Sequence, residues 1–294
     1  MCSEIEKIRD CGIVPVIALD DAAAAVPVAR ALLAGGITVA EITFRTAAAE
    51  QAIANIAKEV PEMALGAGTV LNCEQAQRAL DAGARFLVSP GFNPRVVEFA
   101  LEQGALIVPG TSGPSEMEQA MSYGLTTVKF FPAEQSGGVG KLRAISAVYP
   151  ELMVMPTGGI GENNLTEYLA LKNVIACGGS WMVKKELIAA GNFAEITRLS
   201  AQAVRRALDF RLSRVLLYAG AADGASQVFR ETLGLPLEFD SRQADVPGRL
   251  EVATLSLGRA GAFLKRKGVA FRTGDRELLL DNPIQGFEVA IFQA

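Results

Sequence analysis

The sequence predicts an α/β protein, a (β/α)8 TIM barrel followed by a small α+β C-terminal domain. Three observations carry that prediction. From the N-terminus to about residue 205, short apolar runs alternate with Ala/Leu/Glu-rich stretches at helical spacing, with Gly or Pro turns between them. The runs are almost continuously apolar, which suits strands of a parallel sheet buried under helices. Eight such units fill about 200 residues, the small end of the size range for a closed eight-stranded barrel. The alternative is a doubly wound open sheet. No G-x-G-x-x-G follows the first strand, which weakens the dinucleotide-binding version of that fold.

Taken in order, the apolar runs place strands at Ile13–Leu19, Thr38–Phe44, Ala64–Ala67, Arg85–Ser89, Ala105–Val108, Thr126–Phe131, Leu152–Met155 and Val174–Cys177. Helical spacing places helices at Ala22–Ala34, Glu50–Val60, Glu74–Ala82, Pro94–Gln103, Ser115–Tyr123, Lys141–Val148, Asn164–Leu171 and Ala194–Ala207. The barrel then occupies residues 1–207 and a second domain residues 208–294. In the second domain the pattern reads as a strand (Arg214–Ala219), a helix (Ala225–Leu233) and strands around Pro236–Phe239 and Leu250–Leu257. A helix (Arg259–Lys267) and strands around Ala270–Arg272, Glu277–Leu280 and Phe287–Phe292 follow.

Composition narrows the function. The chain has 294 residues, 50% of them hydrophobic, enough to bury a large core. Its 28 basic and 32 acidic groups leave a net charge of -4 without a local Lys/Arg block, so nucleic acid is not an expected partner. No basic leader with a long apolar stretch opens the chain and no apolar run approaches membrane-spanning length, so a soluble cytoplasmic protein is expected. The four cysteines, Cys2, Cys11, Cys73 and Cys177, include no C-x-x-C pair and read as reduced thiols. Histidine is absent. That removes the commonest general base, every His-dependent triad and most transition-metal sites, leaving Lys, Glu/Asp, Tyr, Cys and the backbone to do chemistry.

In a barrel the active site lies at the C-terminal ends of the strands. Those ends read Glu41-Ile42-Thr43-Phe44-Arg45-Thr46, Gly66-Ala67-Gly68-Thr69, Ser89-Pro90-Gly91, Pro109-Gly110-Thr111-Ser112, Lys129-Phe130-Phe131-Pro132, Pro156-Thr157-Gly158-Gly159 and Gly178-Gly179-Ser180. Lys129 stands inside an apolar strand between Val128 and Phe130. Turned into a poorly hydrated interior, such a side chain favours its neutral, nucleophilic form and can make a Schiff base with a ketone. Turned outward, it is an ordinary solvent-facing lysine. Glu41 lies on strand two and Lys129 on strand six, and inward side chains of alternate strands share a layer, so the two can meet at the barrel mouth. There Glu41 would move protons, unless the pair is only a buried structural ion pair. Gly158-Gly159 and Gly178-Gly179-Ser180 follow strands seven and eight, where barrels hold phosphate with backbone N–H groups and the start of a short helix. Ordinary turn glycines are the other reading. Arg45 can clamp a carboxylate or be a surface arginine, while Thr69 and Thr157 can donate hydroxyls or simply form turns.

Together with Val14-Pro15-Val16-Ile17, Gly66-Ala67-Gly68-Thr69-Val70-Leu71, Lys129-Phe130-Phe131-Pro132-Ala133-Glu134, Pro156-Thr157-Gly158-Gly159-Ile160 and Gly178-Gly179-Ser180-Trp181, these motifs are distinctive. Residues 5 to about 205 resemble the 2-keto-3-deoxy-6-phosphogluconate (KDPG) and 4-hydroxy-2-oxoglutarate (KHG) aldolase family. The resemblance implies a class I aldolase, without cofactor or metal, in which Lys129 carries the pyruvate Schiff base and Glu41 is the general acid/base. It implies that Arg45, Thr69 and Thr157 hold the pyruvoyl end and that Gly158, Gly159, Gly179 and Ser180 hold the phosphate, with Pro90 and Phe131 completing the substrate-binding set. It further implies a homotrimer acting on a phosphorylated keto acid. Related galactonate-pathway aldolases usually carry a small polar residue in place of Arg45, so Arg45 and Phe131 favour the gluconate-type substrate. Thr111-Ser112-Gly113-Pro114 departs from the family's commonest strand-five loop.

Family members normally stop near Ala207. The paired β-α-β pattern beyond it, with Ser226 to Gly234 and Asp281-Asn282-Pro283-Ile284-Gln285-Gly286, resembles a shortened glyoxalase/vicinal-oxygen-chelate module. That family chelates metal through histidine and glutamate. Here Glu288 alone stands at the last-strand glutamate, and Arg214 occupies the first-strand region, so a metal-free module is expected. A noncatalytic phosphosugar-binding regulator built on the barrel is the competing function, with a phosphosugar epimerase lineage a third.

Overall fold

The computed structural model describes residues 3–218, 237–240, 248–284 and 287–294. It divides into two compact units, residues 1–207 and 208–294.

The first unit opens with a helix, α1 (Glu4–Cys11), that the apolar pattern alone does not announce. Ser3 caps it, accepting from the Glu6 N–H while Glu6 reaches back to the Ser3 N–H, and Gly12 ends it at φ 73°. Ile8 and Cys11 are its buried face, packed toward the first three barrel strands. Then β1 (Ile13–Ile17), β2 (Val39–Thr43), β3 (Ala64–Gly68), β4 (Phe86–Val88) and β5 (Leu106–Val108) run parallel in register order. Strand five is interrupted at Pro109, which has no N–H for a ladder, and resumes as β6 (Gly110–Thr111). Through β6 it pairs with β7 (Thr127–Phe130), and β7 pairs with β8 (Met153–Pro156).

The ring closes through the last strand, β9 (Cys177–Gly179), which pairs with β1 and reaches strand seven at the bridges Val154 to Val174 and Thr157 to Gly178. This strand starts three residues later and ends two residues later than its apolar run, Val174–Cys177, suggests. Gly178 and Gly179 contribute no apolar signal yet carry the pairing, because a Cβ at 178 would lie 2.3 Å from Thr157 Oγ1. A 3₁₀ turn at Ala22–Ala24 and helices α2 (Ala25–Ala34), α3 (Ala49–Glu59), α4 (Cys73–Asp81), α5 (Pro94–Glu102), α6 (Pro114–Ser122), α7 (Gly138–Val148), α8 (Leu165–Leu169), α9 (Lys185–Ala189) and α10 (Phe193–Leu208) complete the αβ alternation. Among the described residues no helix is long and apolar enough to cross a membrane.

The second unit is a mixed sheet. Its strands β10 (Arg211–Tyr218), β11 (Leu237–Asp240), β12 (Gly248–Thr254), β13 (Phe271–Thr273), β14 (Glu277–Leu280) and β15 (Glu288–Gln293) lie in the order β11-β10-β12-β15-β14-β13, with one described helix, α11 (Leu257–Arg266). The expected strand Leu250–Leu257 stops at Thr254. Ser256 is an N-cap accepting from the Arg259 N–H, and the chain goes helical at Leu257. β12, α11, β13, β14 and β15 form a β-α-β-β-β unit in which β12 pairs parallel with β15 and β13, β14 and β15 alternate in direction. Arg214 pairs with Glu251 at 2.7 Å, and Arg249 bridges Glu277 at 2.5 Å. The expected helix Ala225–Leu233, the Ser226 to Gly234 motif and Gln285-Gly286 lie outside the described residues.

Candidate active site

The ends of the barrel strands surround a cavity of about 310 Å³. Its lining contains all eleven candidate residues: Glu41, Arg45, Thr69, Pro90, Lys129, Phe131, Thr157, Gly158, Gly159, Gly179 and Ser180. Val16, Ile160 and Gly178 complete it. Gly178 belongs to a motif already singled out, whereas Val16 and Ile160 are apolar and carry no chemical signal in the sequence.

Lys129 is held at both faces of its peptide by strand five. Its N–H donates to Pro109 O at 2.8 Å, and the Thr111 hydroxyl donates to Lys129 O at 3.0 Å. The break at Pro109 therefore does not loosen the strand that carries the amine. Lys129 points inward, 5% exposed, with Nζ 5.2 Å from the centre of the Phe131 ring.

Glu41, 1% exposed, presents Oε1 to Lys129 Nζ at 3.6 Å, inside Coulomb range but beyond a hydrogen bond. Neither carboxylate oxygen accepts a hydrogen bond among the described residues. A buried ion pair kept for stability needs good geometry and satisfied lone pairs, and this one has neither. The arrangement is that of a base close to a nucleophile, with acceptor capacity in reserve for a third molecule. Space for the carboxylate comes from Gly68 on β3, where a Cβ would stand 2.7 Å from Glu41 Oε1.

Above this pair, Arg45 is exposed at the mouth. Its Nε donates to Thr43 Oγ1 at 3.2 Å, and the Thr43 hydroxyl in turn donates to Ile17 O at 2.9 Å. The guanidinium is thus aimed from its inner edge, and its terminal N–H groups, which bond to nothing among the described residues, suit a bidentate acid. Thr69 has φ 57°, a left-handed conformation that a β-branched residue adopts only when its surroundings impose it. Thr157 is 5% exposed and stands against Gly178.

In the loop after strand seven both glycine carbonyls are engaged. Gly158 O accepts from the Glu134 N–H at 3.1 Å, and Gly159 O accepts from Asn164 Nδ2 at 3.2 Å. In a trans peptide the N–H points opposite to the carbonyl, so the N–H groups of Gly159 and Ile160 are turned away from those donors. Neither they nor the Ser180 N–H bond to another group among the described residues. Consecutive bare N–H groups of this kind bind oxyanions. The expected helix starts stand farther off: α8 begins at Leu165 and α9 at Lys185, five residues past Ile160 and Ser180 respectively.

A model of the family described as KDPG and KHG aldolase matches residues 5–199. The chain belongs to this family. The 2-dehydro-3-deoxy-phosphogluconate aldolase of Treponema pallidum is 50% identical over 201 residues, covering 68% of this chain and 94% of that protein. The KHG/KDPG aldolase of Escherichia coli K12 is 47% identical over 195 residues, covering 66% of this chain and 92% of that one. Among solved aldolase structures, that of Legionella pneumophila, with pyruvate captured as a covalent carbinolamine, superposes with a TM-score of 0.67 at 37% identity. It covers 68% of this chain and 98% of its own. The Zymomonas mobilis aldolase with 3-phosphoglycerate gives a TM-score of 0.64 at 38% identity, covering 69% and 95%. The aldolase match falls within the first compact unit.

Proposed function

We propose that this chain is a class I aldehyde-lyase cleaving 2-dehydro-3-deoxy-6-phosphogluconate to pyruvate and glyceraldehyde 3-phosphate. 4-Hydroxy-2-oxoglutarate is a second substrate, split to pyruvate and glyoxylate. The observation that carries this reading is the Lys129 amine 3.6 Å from a buried Glu41 carboxylate that accepts no hydrogen bond among the described residues, in one cavity with an exposed arginine and turned-out backbone N–H groups. The neutral amine of Lys129 attacks the C2 ketone. Glu41 delivers the proton that lets the carbinolamine hydroxyl leave as water, giving an iminium. Glu41 then takes the C4 hydroxyl proton as the C3–C4 bond breaks and its electron pair passes through C3 to the iminium nitrogen. The aldehyde departs, Glu41 returns a proton to C3 of the enamine, and water releases pyruvate and the lysine. Arg45, Thr69 and Thr157 bind the pyruvoyl end, Pro90 and Phe131 wall the chain of the substrate, and Gly158, Gly159, Gly179 and Ser180 bind the phosphate.

The proposal extends to a cytoplasmic homotrimer and to a metal-free, glyoxalase/vicinal-oxygen-chelate-like second domain. The β-α-β-β-β unit of β12 to β15 and the engagement of Arg214 by Glu251 support the latter. Borohydride reduction in the presence of pyruvate tests the central claim. Inactivation with a reduced pyruvoyl mass on the Lys129 peptide is expected. An unmodified Lys129, with phosphosugar binding retained in Lys129→Ala, would favour the noncatalytic regulator instead.

A further inference from the structure

We propose that Tyr168, acting through Glu134, is a positioning residue for the phosphate end of the substrate and sets the preference for phosphorylated over unphosphorylated 2-keto acids. The inference rests on the aldolase reading above and adds a layer behind the receptor loop.

Tyr168 lies on α8, fully buried, and its hydroxyl donates to Glu134 Oε1. Burial first, then the hydrogen bond to Glu134 and the Glu134 charge, push the phenol above its ordinary range, so it remains a donor at every working pH. Glu134, just past strand six, touches the receptor loop in two ways. Its N–H holds Gly158 O at 3.1 Å, while the neighbouring Ala133 N–H holds Thr157 O at 2.8 Å. Its aliphatic stem lies directly behind Gly159, where an added Cβ would come within 2.6 Å of Glu134 Cβ and 2.5 Å of Cγ.

Glu134 is thus the backing plate of the Gly158-Gly159 turn. Its backbone fixes the carbonyl that turns the Gly159 N–H into the cavity, and its side chain blocks retreat of the Gly159 backbone. What fixes the side chain is Tyr168, because Glu134 itself is an exposed residue with many other rotamers open to it. Asn164 supplies the second clamp, donating to Gly159 O and accepting from the Gly161 N–H at 2.9 Å. Without the Tyr168 hydroxyl the Glu134 side chain is released from behind Gly159, and the turn keeps only its backbone hydrogen bonds and the Asn164 clamp, so the N–H groups of Gly159 and Ile160 lose part of their shared aim. The Lys129 and Glu41 pair, held by strands five, six, two and three, does not depend on that anchor.

The experiment compares wild type, Tyr168→Phe, Glu134→Ala and Glu134→Gln in the full chain. Kinetics are measured with the 6-phosphate substrate and with unphosphorylated 4-hydroxy-2-oxoglutarate, and inorganic phosphate affinity by calorimetry. Tyr168→Phe and Glu134→Ala should raise KM for the phosphorylated substrate and the phosphate Kd about tenfold, which is one hydrogen bond's scale of effect. Their kcat and their constants for 4-hydroxy-2-oxoglutarate should stay within about twofold. Glu134→Gln keeps an oxygen for the phenol to bond and should restore near wild-type values. An unchanged phosphate Kd, or equal losses on both substrates, would overturn the proposal. Failure of pyruvate trapping in the wild type would overturn the aldolase reading instead, and the phosphate titration would still decide the role of Tyr168.

Discussion

Replacing Gly68 by alanine should disable the active site without disturbing the barrel. The added methyl would stand 2.7 Å from Glu41 Oε1, 2.9 Å from Cδ and 3.2 Å from Thr43 Cγ2. An ordinary non-bonded contact needs about 3.5 Å, so the carboxylate must retreat by about 0.8 Å. The carboxylate is the far end of a flexible side chain and accepts no hydrogen bond among the described residues, so little resists its displacement. The stability cost should therefore sit at the low end of the roughly 1–3 kcal/mol typical of overpacking. The catalytic cost is larger. A misplacement approaching 1 Å costs on the order of 100-fold, and a general acid/base contributes about 10²- to 10⁴-fold in all.

We therefore expect kcat to fall roughly 30- to 100-fold, followed by a lactate dehydrogenase couple for released pyruvate. Exchange of the pyruvate methyl protons for deuterium, which needs the Schiff base and the proton transfer at C3 but no C–C cleavage, should fall in parallel. Gly140→Ala is the control, since a Cβ there meets nothing within 4 Å. A Gly68→Ala enzyme with kcat within twofold of wild type, or with its whole deficit in KM, would refute the role assigned to the position of Glu41.

Two further predictions concern the scaffold. The Ser200 hydroxyl on α10 is fully buried without a hydrogen-bond partner among the described residues, so Ser200→Ala should hold or raise Tm by a few degrees in differential scanning fluorimetry; a clear fall would contradict this. Residues 1–209 alone should keep both kcat/KM and the assembly state of the full chain by sedimentation, because the matched aldolases align over more than nine-tenths of their length with about two thirds of this chain, and the family match lies at residues 5–199. Loss of activity with the fold intact by circular dichroism would assign the second unit a catalytic or assembly role.

Much of this arrangement is legible in the sequence because burial on both faces leaves a continuous apolar run, and such runs give barrel strands to within a residue or two. The reading slips where pairing is carried by residues without side chains to count. Gly178 and Gly179 extend strand eight past its apolar segment, and Pro109 splits strand five. α1 escapes the apolar pattern but not the capping chemistry, since Ser3, Glu6 and Gly12 spell its ends. At the site, polar residues at strand ends name themselves. Val16 and Ile160 do not, since nothing distinguishes a cavity-lining apolar residue from a core one. The proposed phosphate site is legible as glycine pairs but not in its geometry, in which Glu134 and Asn164 hold the Gly158 and Gly159 carbonyls. Tyr168 is invisible for a simpler reason: its partner, Glu134, is 34 residues away in the chain, and no periodicity or spacing rule links the two.

The missing Cβ atoms at Gly68, Gly159 and Gly178 are each the mould of a particular neighbour: Glu41, Glu134 and Thr157. Such pairs constrain how the enzyme can change over time. An alanine at 68 is tolerable only beside a shorter acid at 41, and a side chain at 178 only beside something smaller than threonine at 157. Every single step along these paths passes through a clash or a cavity. Variation among descendants of this chain should therefore enter these positions in pairs, or not at all.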